Sequence, residues 1–304
     1  MLWIGAFVSL GAQAPAGQAP APAPAAQPNF AAVEIKTNKV ANNFYTLDGQ
    51  GGTIGVLTGP DGVFMVDSQF APLTDKIVAA IRQISDGRIR FLVNTHVHGD
   101  HTGGNENLGK MGVTILAREN LRTRLAKPNP GANGTPGVPA PPPALPVLTY
   151  DAPIVIHMDG EDIRIIPVPA AHTDGDSMVY FPTANVLMIG DFYRSIQYPN
   201  IDRASGGSLN GMLAGLAAAI NLSNPATKIV PGHGPTVDKA AVLVHRDMIL
   251  AIRDRVDALI KQGKTQDEVL AAKVTADFGA KVQQAAMTGD RFVGQVYAEL
   301  KGAK

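Results

Sequence analysis

His96-Val97-His98-Gly99-Asp100-His101 puts four metal-capable side chains into six residues, immediately after the apolar run Arg90 to Asn94 (RFLVN). That run reads as a buried strand, so the cluster lies just past a strand end. In an extended segment His96 and His98 point to the same side, and both imidazoles can reach one metal ion. Beyond Gly99, which allows a turn, Asp100 and His101 can aim at a second ion close by. The chain holds 7 histidines among 304 residues, and three of them within six positions is not the pattern of a chance polar loop. No cysteine is present, which excludes a disulfide framework, a thiolate metal site and a cysteine nucleophile. Any metal is therefore held by nitrogen and oxygen.

Around this cluster, short apolar runs alternate with amphipathic segments, the pattern of a layered α/β domain. Thr53 to Thr58 and Val63 to Asp67 read as a hairpin turned by Gly59-Pro60-Asp61-Gly62. Residues 73 to 84 place Leu73, Ile77, Ile81 and Ile84 on one helical face. A strand at Val113 to Ala117 and a polar helix at Glu119 to Ala126 precede Pro128 to Pro146, a Gly/Pro-rich insertion too poor in apolar periodicity for core and placed to act as a flap near the site. Strands are predicted at 153–157, 162–168, 178–182 and 186–190, then a helix at 208–222, a strand at Lys228 to Val230 and two or three helices from Lys239 onward. The order of strand series and helices suggests two similar halves.

The hexapeptide resembles the H-x-H-x-D-H signature of the metallo-β-lactamase superfamily, and further residues fall in that family's order. His172 lies in AAHTDGDS, Asp191 in LMIGDF and His233 in PGHG, similar to the third, fourth and fifth motifs of the family. The similarity runs from about Ala41 to Gly234. It implies a four-layer αββα sandwich with metals at one edge between the halves. It also implies that His96, His98 and His172 hold one metal, that Asp100, His101 and His233 hold the other, and that Asp191 bridges them. One lactamase subclass carries a cysteine at the fourth motif. Asp191 in its place looks more like the glyoxalase II, lactonase and arylsulfatase-type branches than like a dedicated lactamase.

The resemblance implies a small-molecule hydrolase. Two cations sharing a water bring its pKa toward neutrality and hold it as a hydroxide nucleophile. Asp100 is then both ligand and acceptor of the nucleophile's proton. Esters, lactones, thioesters or lactams are the expected substrates. Zinc is the expected metal, and iron or manganese also suits imidazole and carboxylate. A redox or sulfur-handling metalloprotein of the same fold is the competing reading; its diiron branch replaces the second histidine by glutamate, whereas His98 is retained here.

Several other residues bear on the site. Tyr193 and Arg194 follow Asp191 directly and could offer a hydroxyl and a cation to substrate. The resemblance also implies that Asp67, at a strand end beside the hairpin, orients a ligand from behind. Asp174 and Asp176 read as turn formers, and His157 and His245 as structural or surface histidines.

Basic and acidic residues number 26 each, so no net field draws a polyanion and nucleic acid is not expected as partner. Residues Met1 to Leu10 form a short apolar run followed by Ala12-Gln13-Ala14, a small-x-small pattern suited to signal cleavage, although a basic start is missing. Residues 15–28 are a Pro/Ala-rich tether, and the folded domain is expected over 29–304. These features suggest export to a periplasm-like space, or a cytoplasmic protein if the run is not a signal. No later stretch is apolar enough to insert stably in a membrane. Oligomeric state is not readable from these patterns.

Overall fold

Val63-Phe64-Met65-Val66 is apolar at every position, which a strand tolerates only when both its faces are covered. In the computed structural model, which describes residues 29–128 and 137–302, all four are fully buried. They alternate between two cores. Val63 and Met65 pack with Ile77 and Ile81, whereas Phe64 and Val66 pack with Ile163, Val179 and Phe181.

Seven strands form the first sheet in chain order: β1 (Lys36–Ala41), β2 (Phe44–Asp48), β3 (Ile54–Gly59), β4 (Gly62–Val66), β5 (Ile89–Val93), β6 (Thr114–Arg118) and β7 (Leu148–Tyr150). Pairing is antiparallel from β1 to β4 and parallel from β4 to β7. Five strands form the second: β8 (Ile154–Met158), β9 (Glu161–Pro167), β10 (Ser177–Phe181), β11 (Val186–Met188) and β12 (Lys228–Val230), in the order β12-β11-β10-β9-β8. Only β11 and β12 run parallel there.

Helices α1 (Thr74–Arg82), α2 (Gly99–Thr102), α3 (Asn105–Lys110) and α4 (Glu119–Leu125) belong to the first half. Helices α5 (Leu209–Leu222), α6 (Lys239–Lys261), α7 (Gln266–Ala271) and α8 (Ala285–Leu300) follow in the second. Ser208 caps α5 by accepting from the Gly211 amide, and Asp238 caps α6 by accepting from the Ala241 amide. Leu108 of α3 joins Ile77 and Ile81 of α1 on the outer face of the first sheet. Met212 and Leu216 of α5, Ile249 and Ile252 of α6, and Phe292 and Val293 of α8 cover the outer face of the second, whose Met178 and Leu187 point that way. The layers therefore run helix, sheet, sheet, helix, the αββα sandwich expected from the motifs.

The predicted hairpin, the 73–84 helix and the strand at Lys228 to Val230 are all present. Three strands were not foreseen. β1 is polar and largely exposed, β7 has three residues, and β2 interrupts its apolar positions with Tyr45 and Thr46, so none carries a clear period-2 signal. The halves are unequal, with seven strands against five.

The described ends of the 128–146 insertion pack on the domain. Ala144 and Pro146 are buried, the Asn105 amide donates to the Ala144 carbonyl at 3.2 Å, and the Ala140 amide donates to the Leu125 carbonyl at 2.8 Å. Proline-rich backbone can pack without periodicity because its fixed φ needs no ladder partner. Residues 1–28, with the signal-like run and tether, and residues 129–136 of the insertion lie outside the described residues. No helix among the described residues is long and apolar enough to cross a membrane.

Candidate metal centre

The parallel pairs β4/β5 and β11/β12 bring strand C-terminal ends to one edge of the sandwich, and the candidate ligands follow those ends. Asp67 follows β4, Thr95 and His96 follow β5, Asp191 follows β11 and His233 follows β12. His172 comes from the loop between β9 and β10. The Ser177 amide donates to the Thr95 carbonyl at 2.8 Å and ties the two sheets together at this edge.

The 96–101 segment departs from the extended chain expected. Residues 95–97 form a bend, and Gly99 opens the short helix α2, with open space where a side chain would stand. His96 and His98 nevertheless face the same cluster, their ring centroids 4.9 Å apart. Glycine is required elsewhere: a Cβ on Gly52 would lie 2.1 Å from the His101 ring, and one on Gly232 would lie 1.8 Å from Asp191 Oδ1.

Two groups of inward-facing atoms result. His96, His98, His172 and Asp191 form one, Asp100, His101 and His233 the other, and within each the ligand atoms lie within 4.8 Å of one another. His98 Nδ1 is 2.9 Å from His172 Nε2, and His233 Nε2 is 3.1 Å from Asp100 Oδ2. Asp191 stands between the groups, with Oδ2 3.8 Å from His96 Nε2 and 3.4 Å from His233 Nε2, and Oδ1 3.3 Å from His101 Nε2.

Behind the rings of His96, His98, His101 and His172 a partner fixes the orientation. The Asp67 carboxylate accepts from His101 Nδ1 at 2.7 Å and from the Thr95 amide and hydroxyl at 2.8 and 2.7 Å. Asp67 adopts φ 63, a left-handed conformation that aspartate tolerates better than most residues. Asp202 Oδ2 lies 2.8 Å from His98 Nε2, and the Asn200 carbonyl accepts from His172 Nδ1 at 2.6 Å. Asp202 and Asn200 were missed in the sequence, where neither stands at a motif spacing. Ser68, Asn94 and Asn105 form a buried polar network beneath α2 that binds the His101 carbonyl, and these too carried no signal.

The electrostatics suit cations. Burial would raise Asp191, but Arg194 and the nearby imidazoles of His101, His96 and His233 hold it well below the usual carboxylate range. His101 is raised well above its ordinary value because Asp191 and Asp67 outweigh the opposing effect of burial. Asp100 is lowered to about 2, since the His233 hydrogen bond and the His101 charge overcome desolvation. His96 and His172 are pushed down by burial, the latter to about 4, and so stay neutral and able to donate a lone pair. His96 Nε2 and Asp191 Oδ1 are buried without a protein hydrogen-bond partner. Inward imidazole nitrogens, an unpartnered carboxylate oxygen and hydrogen-bonded outer nitrogens together fit a divalent cation site.

The remaining candidates separate clearly. Arg194 reaches the cluster, its guanidinium bonded to Asp191 Oδ2 and to Gln197 Oε1. Tyr193 does not: it is buried in the core of the second half with its ring 4.5 Å from that of His245, so the expectation that it faces substrate beside the metals is corrected. Consecutive residues of an extended segment point to opposite sides, which sends Tyr193 away when Arg194 faces the ligands. Asp176 accepts from the His172 and Thr173 amides and the Thr173 hydroxyl, closing the turn that carries His172. Asp174 pairs with Arg124 at 2.7 Å, and exposed His157 pairs with Asp162 at 2.7 Å.

Comparison with known proteins gives a consistent picture. The family model of the metallo-β-lactamase superfamily matches residues 47–240. A metallo-β-lactamase type 2 from Bacillus sp. (strain 170) is 22% identical over 195 residues, 64% of this chain and 71% of that protein. Among solved structures, the stereoselective inverting sec-alkylsulfatase Pisa1 from Pseudomonas sp. superposes with a TM-score of 0.70 at 17% identity, over 87% of this chain and 50% of its own, so the present chain spans half of that enzyme. The DIM-1 metallo-β-lactamase superposes with a TM-score of 0.59 at 21% identity, over 72% of this chain and 98% of its own. The fold, the order of the motifs and the convergence of their side chains agree with the family model, and this chain belongs to the metallo-β-lactamase superfamily.

Proposed function

We propose that the chain is a binuclear metal-dependent hydrolase acting on a small ester, lactone, thioester or lactam. The observation that carries this reading is the convergence of seven side chains from both halves on one edge, with His96 Nε2 and Asp191 Oδ1 buried and unpartnered. His96, His98 and His172 would hold one ion and Asp100, His101 and His233 the other, with Asp191 shared. Zinc is the first choice, and iron or manganese also suits the donor set. Such ions supply Lewis acidity and an activated water.

The chain's own residues do the rest. Asp67, Asp202 and the Asn200 carbonyl fix which ring nitrogen of His101, His98 and His172 points inward. Asp100 is partly open to solvent, and its carboxylate can orient an attacking water. Arg194, the cation that touches the cluster, can pair with an anionic group on the substrate.

A sulfate ester is a second substrate class. It is favoured by the likeness to the alkylsulfatase, which extends over 87% of this chain, and by the Arg194 guanidinium beside the ligands. The test is metal analysis of the full-length protein joined to a turnover screen over p-nitrophenyl esters, acyl-homoserine lactones, S-lactoylglutathione, nitrocefin and a secondary alkyl sulfate. Metal-dependent turnover of at least one carbonyl ester, lactone or thioester is expected. Failure of the metal-loaded chain on every member would overturn the hydrolase reading, and turnover of the sulfate alone would move the chain to the second class.

A further inference from the structure

Residues 198–202 belong to no helix or strand, so their backbone groups need partners that secondary structure does not give. Helix α8 provides several of them. Its apolar face, with Phe292, Val293 and Val296, joins the core of the second half. Beside that face stand Thr288, Arg291, Gln295 and Glu299, spaced by three or four residues and therefore on one side of the helix. A polar stripe of this kind is ordinarily left to solvent. This one bonds to backbone. Thr288 Oγ1 accepts from the Tyr198 amide at 3.1 Å, Gln295 Oε1 from the Ile201 amide at 3.0 Å and Glu299 Oε2 from the Leu209 amide at 2.6 Å, and the Arg291 guanidinium donates to the Tyr198 carbonyl at 3.4 Å.

One of these bonds bears on a metal ligand. The Asn200 carbonyl that accepts from His172 Nδ1 at 2.6 Å and the Ile201 N–H that donates to Gln295 are the two ends of a single peptide group. Gln295 braces that group a second time, since its Nε2 donates to Asn200 Oδ1 at 2.8 Å. A planar peptide bound at its N–H has its carbonyl direction fixed, and the bond at the N–H also makes the carbonyl a better acceptor. The bond at Nδ1 in turn decides that His172 presents Nε2 to the cluster, 2.9 Å from His98 Nδ1. Gln295, the peptide and the imidazole thus form one chain of hydrogen bonds that ends at a ligand atom. Helix α8 lies wholly beyond residues 47–240, which match the family.

We propose that Gln295 is a positioning residue of the metal centre, which acts through the Asn200–Ile201 peptide to fix the His172 ring and strengthen its hold on the ion of the three-histidine group. This role depends on the metal centre proposed above. It makes the C-terminal helix a working part of the site, although the helix contributes no ligand. Coupling of this kind is reciprocal. When His172 Nε2 is coordinated, its Nδ1–H becomes a stronger donor, the peptide is polarised, and the Ile201 N–H bonds more strongly to Gln295.

The experiment titrates zinc into metal-stripped full-length protein, with affinities from calorimetry and with the Ile201 amide and His172 ring signals followed by NMR. Two equivalents should bind to the parent, and the equivalent that moves the His172 signals should move the Ile201 amide proton downfield with them. Gln295→Met, close in volume but without either hydrogen-bonding atom, should weaken that equivalent about tenfold and spare the other. Gln295→Glu keeps an acceptor for the Ile201 N–H and should return the affinity to within about threefold of the parent. A parent that binds no zinc would remove the metal centre itself, and the role of Gln295 with it. Where zinc does bind, an Ile201 signal indifferent to loading of His172 would overturn the proposal alone, even if the variants failed to fold. An affinity unchanged in Gln295→Met, or weakened equally in Gln295→Glu, would do the same.

Discussion

The three-imidazole group and the Asp100, His101 and His233 group flank one carboxylate, yet they are held from behind in different ways. In the first, each ring has a partner on its outer nitrogen: Thr95 for His96, Asp202 for His98 and the Asn200 carbonyl for His172. In the second, only His101 has a carboxylate behind it, Asp67, and His233 Nε2 is engaged by Asp100 and Asp191 within the cluster itself. Burial cuts across the groups: His96, His172 and His101 are essentially inaccessible, whereas the side chains of His98, Asp100 and His233 are 28%, 24% and 20% exposed. The group with a support behind every ring should bind first and release last, and the less supported one, open to solvent at two of its three ligands, should exchange its ion more readily.

Removing the shared carboxylate should have the largest effect. Asp191→Ala should bind about one metal per chain instead of two and lose roughly 100-fold or more in turnover, because the open group keeps three ligands and loses the charge that offsets two nearby cations. Metal analysis beside the rate measurement checks this, and two bound ions with near-normal rates would remove Asp191 from the ligand set. Next in size are the supports. Asp67→Ala should weaken the second equivalent of metal by about 10–100-fold and spare the first, and Asp202→Ala should do the reverse. A metal titration that shows the same equivalent weakened in both variants would dissolve the distinction between the groups.

A smaller effect concerns His245, behind the centre. The unfolded chain takes up a proton there near the ordinary 6.5, while the native ring, pushed by burial to about 3, does not. Its contribution to stability is therefore complete above about pH 6.5 and is lost as the pH falls toward 3. His245→Phe should make the fall in melting temperature over that window shallower, and an unchanged slope would contradict the burial argument. Deleting residues 1–28 should have the smallest effect, leaving melting temperature and turnover nearly unchanged, since the Pro/Ala composition offers little to bury. A large loss of melting temperature would show that the segment packs on the domain.

Much of the centre was legible because its chemistry is carried by rare residues at fixed intervals. His96, His98, Asp100 and His101 crowd into one hexapeptide, and His172, Asp191 and His233 each sit beside a glycine-bearing motif that follows or precedes a strand. The supports were less visible. Asp202 and Asn200 reach the site only because the chain after Tyr198 folds back under His98 and His172, where the Asp202 amide donates to the His172 carbonyl at 2.9 Å. Such a long-range contact leaves no periodicity to read. Asp67, whose role the family resemblance implied, does stand behind His101, whereas Tyr193 was misplaced because a single residue's shift in an extended segment reverses its face.

The central claim is that two ions held by these residues make the nucleophile. It is tested most directly by stripping the full-length protein with a strong chelator and titrating zinc back while following hydrolysis of a substrate found in the screen. The account predicts no turnover without metal and a rate that recovers fully at about two equivalents per chain. Full activity in rigorously metal-free protein would contradict it.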